Sequence, residues 1–350
     1  MRKLLVFVLV CIVVGFGVVA FSSKQPEQER PVQISRMPTV IPTPTPSQDA
    51  SFPMAISALR SKQYPGSSLT VEQTLPDGSN YHRYVVSYLS DGLKIYALLT
   101  VPIGQKPQAG WPVIVINHGY IPPTEYETVS SYASVVVPFA ESGYIVLKPD
   151  YRGNGNSEGT PTQVYVSEGY VTDSMNAIAS IKKYKDANPQ KIGIWGHSMG
   201  GNVTLHELVI PVSVQAVDIW SGVVGTYTNI LSWWDNRVAT GVLTTQNDLQ
   251  TLQLVRQFTK THGTPDTNPQ FWQAIDPTDY LSKVQSPVLI QVGTGDTVVP
   301  PDFSSTLYAS LKQLGKNVQF VSYPGADHNL APDSTSAMGA AIAFFNTFLK

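Results

Sequence analysis

Short apolar runs alternate with segments of helical periodicity through most of the chain. The runs have the length of buried strands and lie at residues 111–117, 144–148, 191–195, 216–220, 287–292 and 317–323. Helical patterns lie at residues 52–63, 129–142, 167–187 and 201–210. Segments 83–90 and 94–102 flank Asp91 and Gly92, a dipeptide typical of a two-residue β-hairpin. Because strands that alternate with helices pair in parallel, this order predicts an α/β fold with a mostly parallel sheet covered on both faces.

The alternation is interrupted at residues 222–283, between two predicted strands. An insertion at this point emerges at the carboxyl ends of the strands, so we interpret it as a cap over the site expected there. Trp233 and Trp234 are its candidate substrate contacts, whereas its other aromatic residues are interpreted as cap core, since a small helical unit must bury apolar surface. Its aspartates are interpreted as solvated surface: Asp235, Asp266, Asp276 and Asp279.

The N-terminus carries an apolar stretch behind two basic residues. Residues 4–21 hold no charged side chain, and this segment is long enough to span a bilayer. The basic residues before it favour an extracytoplasmic position for the rest of the chain. We therefore interpret residues 1–24 as a signal anchor that attaches the protein to a membrane, with a cleaved signal peptide and a secreted enzyme as the alternative. Prolines and threonines make residues 25–50 an extended stalk, which leaves 51–350 as the catalytic domain.

A G-x-S-x-G motif spans residues 196–200 and centres on Ser198. It lies directly after a predicted strand and before a predicted helix, which is the context of a nucleophile elbow. The glycines are needed because side chains two positions from the serine would collide with the neighbouring strand and helix in so tight a turn. The motif therefore predicts one exposed serine hydroxyl at a helix N-terminus.

A serine hydroxyl becomes a good nucleophile only when a base takes its proton, and the base needs a carboxylate to fix its tautomer. In a strand-turn-helix arrangement of this kind, the acid and the histidine follow the serine in that order. Asp296 lies just after one predicted strand, and His328 lies in the loop after the next. The sequence predicts that these two residues complete a triad with the elbow serine. Asp302 and Asp327 are the alternative acids.

Acyl transfer also requires N–H donors for the oxyanion, usually one after the nucleophile and one from a loop after an earlier strand. Met199 follows the elbow serine and supplies the first candidate. Tyr120 supplies the second, because Gly119 before it permits the backbone twist that turns the Tyr120 N–H inward. Both are predicted to form an oxyanion hole.

Composition and spacing exclude several other classes. Twenty-three basic and 25 acidic residues leave a nearly neutral chain, which lacks the electrostatic footprint of a nucleic-acid-binding protein. The single cysteine, Cys11, lies in the N-terminal apolar stretch, and the histidines show no H-x-x-x-H spacing, so no metal site is predicted. The glycines of residues 153–159 miss the dinucleotide fingerprint by one position, so no cofactor is predicted. We interpret this segment as a structural loop in which Arg152 is a buried anchor.

The chain resembles the catalytic domain of the prolyl oligopeptidase-like serine peptidases and their esterase relatives, within the α/β-hydrolase superfamily. The resemblance spans about residues 80–350 and rests on five blocks: the elbow, N-H-G-Y at 117–120, D-Y-R-G-N-G-N-S-E-G at 150–159, G-T-G-D at 293–296 and G-A-D-H at 325–328. It implies an α/β-hydrolase fold and the same triad and oxyanion residues. Full-length oligopeptidases of this family carry a β-propeller ahead of the hydrolase domain, and the segment before residue 80 is too short for one.

These observations favour a serine hydrolase that cleaves an ester or a peptide bond through an acyl-enzyme. The expected substrates are small-molecule esters or short peptides, because the part that selects peptides in the oligopeptidases is missing. A carboxylesterase without peptidase activity is the first alternative. A catalytically silent surface-binding module is the second, although such a module is expected to have lost a triad residue and this chain has not.

Overall fold

The computed structural model describes residues 52–162, 165–241 and 246–350. Within these ranges nine strands form one sheet, with bounds β1 Thr70–Leu75, β2 Tyr81–Ser90, β3 Leu93–Pro102, β4 Trp111–Asn117, β5 Ile145–Pro149, β6 Ala187–His197, β7 Ala216–Trp220, β8 Val288–Gly293 and β9 Val318–Tyr323. Their spatial order is β1-β2-β3-β5-β4-β6-β7-β8-β9. From β5 to β9 every neighbouring pair is parallel, while β1, β2 and β3 add antiparallel strands at one edge. The predicted mostly parallel sheet is confirmed.

Helices cover both faces of this sheet. Their bounds are α1 Ile56–Ser61, α2 Ala133–Glu141, α3 Gly169–Ile181, α4 Met199–Val209, α5 Tyr227–Ala239, α6 Gln246–His262, α7 Pro269–Ile275, α8 Pro301–Gln313 and α9 Ser334–Leu349. A 3-10 helix, Pro277–Lys283, leads from α7 towards β8. Helices α3, α4 and α8 pack into one hydrophobic core, and α2 and α9 pack into a second core on the opposite face.

Alternation along β4 separates the two cores. Val113 and Val115 belong to the core of α3 and α4, whereas Ile114 and Ile116 belong to the core of α2 and α9. All four side chains are fully buried. A strand covered on both faces reads as a continuous apolar run, which is why sequence alone located it.

The predicted hairpin is present and one predicted helix is too long. Ser90 pairs with Leu93, and Asp91 and Gly92 between them both have positive φ, as a type I′ turn requires. The helix predicted at 167–187 ends at Ile181 instead. It ends early because the chain must turn back to bring residue 187 beside residue 111, where β6 begins to pair with β4.

The N-terminal predictions concern residues 1–24 and 25–50, which lie outside the described residues. In the part of the chain that the structure describes, every helix is too short or too polar to cross a membrane.

Arg152 is an ion-pair anchor, as predicted, but its side chain is only partly buried, with 15% of its surface exposed. Its Nε and Nη2 donate to the two carboxylate oxygens of Asp173 on α3, at 2.9 and 2.7 Å. The Arg152 backbone N–H also donates to Asp173, at 2.8 Å, and Ser90 Oγ donates to the same carboxylate at 2.7 Å. The pair fixes the loop after β5 against α3, on the side of the sheet that carries α4.

Glu207 on α4 is another buried acidic residue on this side of the sheet. It is fully buried, and its Oε2 accepts a hydrogen bond from Asn117 Nδ2 at 2.7 Å. Burial raises the pKa of Glu207 to about 8, because the charged form would lose its hydration without gaining a cationic partner. The side chain is therefore mainly protonated near neutral pH.

We expect Glu207→Gln to remove a pH dependence of stability. The folded chain holds a proton on Glu207 up to a pKa of about 8, whereas the unfolded value is 4.5, so the unfolded chain releases this proton first as the pH rises. Between pH 5 and pH 8 the free energy of unfolding of the wild type should fall by about 1.4 kcal/mol per pH unit relative to the variant.

Urea unfolding at several pH values measures this difference. Glu125→Gln, at an exposed position, is the matched control and should keep the wild-type slope. Parallel slopes for wild type and Glu207→Gln would contradict a protonated Glu207.

Candidate active site

Ser198 lies between the end of β6 and the start of α4, with φ of 55° and ψ of −122°. This is a strained conformation for a residue with a side chain, and it is held by close packing on both sides. A Cβ at Gly196 would lie 2.3 Å from Thr204 Oγ1, and a Cβ at Gly200 would lie 1.9 Å from the carbonyl oxygen of Asn117. The elbow therefore requires both glycines, and it presents Ser198 at the helix N-terminus.

Asp296 and His328 are in direct contact, although 32 residues separate them along the chain. Asp296 Oδ2 accepts a hydrogen bond from His328 Nδ1 at 2.7 Å. Its Oδ1 accepts the backbone N–H groups of Val298 and Val299, at 2.8 and 2.9 Å, so the carboxylate cannot rotate freely. Since Nδ1 of neutral His328 carries the proton in this pair, Nε2 is its basic nitrogen.

Neither alternative acid forms a side-chain hydrogen bond with His328 in the described structure. Asp302 lies in the first turn of α8. Asp327 uses its Oδ1 to accept two backbone N–H groups further along its own loop, at 2.9 Å each, which is a loop-stabilising role. The geometry therefore favours Asp296 over both.

A polar chain that the sequence did not reveal connects three loops around the serine. The Gly119 N–H donates to Tyr132 Oη at 2.7 Å, Tyr132 Oη lies 2.7 Å from His197 Nδ1, and His197 Nε2 lies 3.1 Å from the His328 carbonyl oxygen. Burial lowers the pKa of His197 to about 3, so its ring is neutral. A carbonyl only accepts, so Nε2 of His197 donates to it and Nδ1 accepts the Tyr132 hydroxyl proton.

This chain limits which N–H groups can serve as oxyanion donors. The Gly119 N–H is already bonded to Tyr132, and a Cβ at Gly119 would lie 2.5 Å from that hydroxyl, so glycine is required there. The predicted donors Tyr120 and Met199 both line one cavity with Ser198 and His328. The structure thus brings the five predicted catalytic and oxyanion residues to one region at the carboxyl edge of the sheet.

The cavity has a volume of about 1070 Å³ and is lined mainly by apolar side chains. Trp233 and Trp234 on α5, the predicted substrate contacts, are among them. Arg237 also lines the cavity and is the one lysine, arginine, aspartate or glutamate among its lining residues in the described ranges. Its guanidinium carbon lies 5.4 Å from the centre of the Trp233 ring, within cation–π distance.

The remaining aromatic residues of the insertion form its core. Tyr227, Phe258, Phe271 and Trp272 pack with ring centres 5.3 to 5.8 Å apart. The expectation that they are core residues agrees with this packing.

The expectation of solvated aspartates was wrong for Asp276. Asp235, Asp266 and Asp279 are exposed, but Asp276 is buried, with Oδ2 accepting the Tyr227 N–H at 2.8 Å and Oδ1 accepting the Thr278 N–H at 2.9 Å. It therefore stabilises the N-terminus of the 3-10 helix and that of α5. The D-P-T sequence at 276–278 carries the signal, since aspartate followed by proline is typical of a helix N-cap.

A nucleophile elbow and an Asp-His pair at the carboxyl edge of a mostly parallel sheet define the α/β-hydrolase class. Residues 99–344 match the dienelactone hydrolase family. The chain belongs to this family.

Similar proteins include both peptidases and esterases. The chain is 26% identical to an uncharacterized peptidase, YtmA, of Bacillus subtilis (strain 168), over 265 residues that cover 75% of this chain and 92% of that protein. It shares the fold of acetyl xylan esterase 1 from Thermoanaerobacterium sp. JW/SL YS485, with a TM-score of 0.64, 16% identity, and coverage of 87% and 94% of the two chains. An acylaminoacyl peptidase in complex with Z-Gly-Gly-Phe-chloromethyl ketone has a TM-score of 0.59 and 23% identity, and the match covers 78% of this chain and 42% of that chain.

We expect Tyr132→Phe to lower both stability and reactivity at Ser198. The change leaves the Gly119 N–H and His197 Nδ1 without their partner, and each unsatisfied buried group costs about 1–3 kcal/mol. The free energy of unfolding in urea should fall by roughly that amount. The rate of fluorophosphonate labelling should fall about tenfold or more, because three loops lose their common anchor.

Tyr64→Phe is the matched control, since it removes one hydroxyl bond, to the Leu59 carbonyl at 2.9 Å, far along the chain from these loops. It should leave the labelling rate unchanged. Equal labelling rates for Tyr132→Phe and wild type would show that the polar chain does not position the site.

Proposed function

We propose that this protein is a serine hydrolase that cleaves ester bonds through an acyl-enzyme. Ser198 is the nucleophile, His328 is the general base and then the general acid, and Asp296 orients the histidine. The observation that carries the proposal is the 2.7 Å bond between Asp296 Oδ2 and His328 Nδ1, made beside a cavity that Ser198 and His328 both line. A silent binding module is disfavoured, because it would have no need of this pair.

The reaction follows from these positions. Ser198 Oγ attacks the carbonyl carbon of the ester while His328 Nε2 takes the hydroxyl proton, and the N–H groups of Met199 and Tyr120 stabilise the oxyanion. When the tetrahedral intermediate collapses, the bond to the leaving group breaks and His328 returns the proton to the departing oxygen. Water then attacks the acyl-enzyme by the same route, which releases the acid and frees Ser198.

Charge in the cavity favours esters over peptides with a free N-terminus. An aminopeptidase must receive an ammonium group, and a buried carboxylate is its usual partner. The lining residues in the described ranges include Arg237 and no aspartate or glutamate, so an ammonium would meet a like charge. Peptide cleavage is the second candidate, supported by the similarity to peptidases, and this charge restricts it to peptides whose N-terminus is blocked.

We expect Ser198→Ala to abolish both fluorophosphonate labelling and hydrolysis of p-nitrophenyl butyrate. Loss of the nucleophile should reduce kcat by about 10⁶. Asp296→Asn should keep the fold and reduce kcat by about 10⁴, because the imidazole loses its tautomer. Asp302→Asn is the matched control and should retain activity.

Mass spectrometry of the labelled peptide identifies the modified residue. A label on another serine, or full activity in Ser198→Ala, would refute the assignment. A kcat/KM for acetylated aminoacyl anilides far above that for every ester would move the substrate to peptides and leave the mechanism in place.

We further propose that residues 1–24 anchor the enzyme to a membrane and that the catalytic domain is extracytoplasmic. The support is the uncharged segment 4–21 behind Arg2 and Lys3. The protein should sediment with membranes, and protease added to intact cells should degrade its catalytic domain. N-terminal sequencing of the mature protein is the decisive control, since a first residue near Phe21 would establish cleavage and secretion.

A further inference from the structure

The cavity extends to both faces of the sheet. Several of its lining residues belong to the core of α3 and α4 or pack against it on the insertion side: Val223, Trp233, Trp234 and Val299. Others belong to the core of α2 and α9 or pack against it: Val135, Trp195, Trp220, Met338 and Ile342. An ester has two groups, one on each side of its carbonyl carbon, and the residues that line this cavity with Ser198 come from both faces of the sheet.

The second set, with Pro138 and Gly339, forms what we call the α2–α9 groove. Trp195 and Trp220 both line it, with ring centres 5.2 Å apart. Helix α9 contributes one face, since Met338 and Ile342 are four residues apart. The lining positions on α9 run from Ser334 to Ile342, roughly 12 Å of helix. That distance is the length of a medium-chain alkyl group.

Gly339 is unexpected on this face. Glycine inside a helix costs roughly 0.5–1 kcal/mol relative to alanine, and helical glycines are usually explained by close packing. Gly193 shows such packing in this protein, because a Cβ there would lie 2.6 Å from Phe345 Cε1. A Cβ at Gly339 would meet nothing within 4 Å. Packing therefore does not require glycine at 339. Because Gly339 is exposed and also lines the cavity, its missing side chain leaves open space at the solvent-facing edge of the groove.

We propose that the α2–α9 groove binds an extended aliphatic chain of an ester substrate and that Gly339 keeps it open. This inference rests on the proposed function and names its substrate class: esters with one medium-length, unbranched chain. A peptide fits the groove less well, because its backbone N–H and C=O groups outnumber the polar groups that this lining offers. These are Trp195 Nε1, which has no hydrogen-bond partner in the described structure, and the Ser334 and Thr335 hydroxyls at one end of the α9 face.

The test compares p-nitrophenyl acetate, butyrate, octanoate and laurate as substrates of the full-length protein. For the wild type, kcat/KM should rise from acetate to octanoate, by up to about fourfold for each methylene group that enters the groove. Gly339→Leu fills the groove, so the ratio of octanoate to acetate kcat/KM should fall at least about tenfold, with Gly339→Ala between it and the wild type. Ala343→Leu adds more bulk to the same helix at an exposed position outside the cavity lining and should keep the wild-type ratio.

Each outcome is decisive. A wild-type kcat/KM that falls from acetate onward, or a Gly339→Leu variant with the wild-type ratio, would overturn the groove assignment. Fluorophosphonate labelling at Ser198 separates failure of the groove assignment from failure of the proposed function. A labelled enzyme without a preference for acyl-chain length refutes the groove alone, and an unlabelled wild type refutes the hydrolase. The melting temperature of Gly339→Leu should be no lower than that of the wild type, because leucine favours helix more than glycine. If Gly339→Leu does melt at a lower temperature, Gly339→Ala repeats the test.

Discussion

The close approach of α4 to the end of β4 is the constraint on which the rest of the site depends. The carbonyl oxygen of Asn117 would lie only 1.9 Å from a Cβ at Gly200, so no other residue fits there at this separation. The Asn117 side chain adds bonds from its Nδ2 to Thr204 Oγ1 and Glu207 Oε2, at 2.9 and 2.7 Å. These contacts run from the first to the last turn of α4 and fix the helix, and with it the position of Ser198 and the direction of the Met199 N–H.

Burial of polar groups around this contact is tolerated because the groups are paired or neutral. Burial holds the pKa of Glu207 at about 8 and that of His197 at about 3, so neither carries a full charge near neutral pH. Asp296 keeps both oxygens in hydrogen bonds, to His328 and to two backbone N–H groups. In the proposed mechanism, the positive charge that develops during the reaction is placed on His328, which Asp296 orients.

What the sequence predicted follows from local signals. The buried parallel strands, the hairpin at Asp91, the elbow and the Asp296–His328 proximity come from apolar runs, turn residues and chain order. Strand β1 was not predicted, because it is a mostly exposed edge strand without an apolar pattern. Contacts between residues far apart along the chain gave no signal in the sequence. Tyr132 and His197 are 65 residues apart, and Asp276 is 49 residues from Tyr227, whose backbone N–H it accepts.

The sheet also explains how one scaffold serves relatives named as both esterases and peptidases. The Ser198 backbone is held from the end of β7 as well as by β4, β6 and α4, since its N–H donates to the Trp220 carbonyl oxygen at 3.1 Å and its carbonyl oxygen accepts the Val223 N–H at 3.0 Å. The other cavity walls come from α5 of the insertion and from α2 and α9 on the opposite face, and these helices make no backbone hydrogen bond to Ser198 in the described structure. Side chains on these three helices can therefore change without moving Ser198. We expect Arg237 on α5 and the missing side chain at Gly339 on α9 to act on substrate choice, while the acyl-transfer chemistry is left to the elbow and the Asp-His pair.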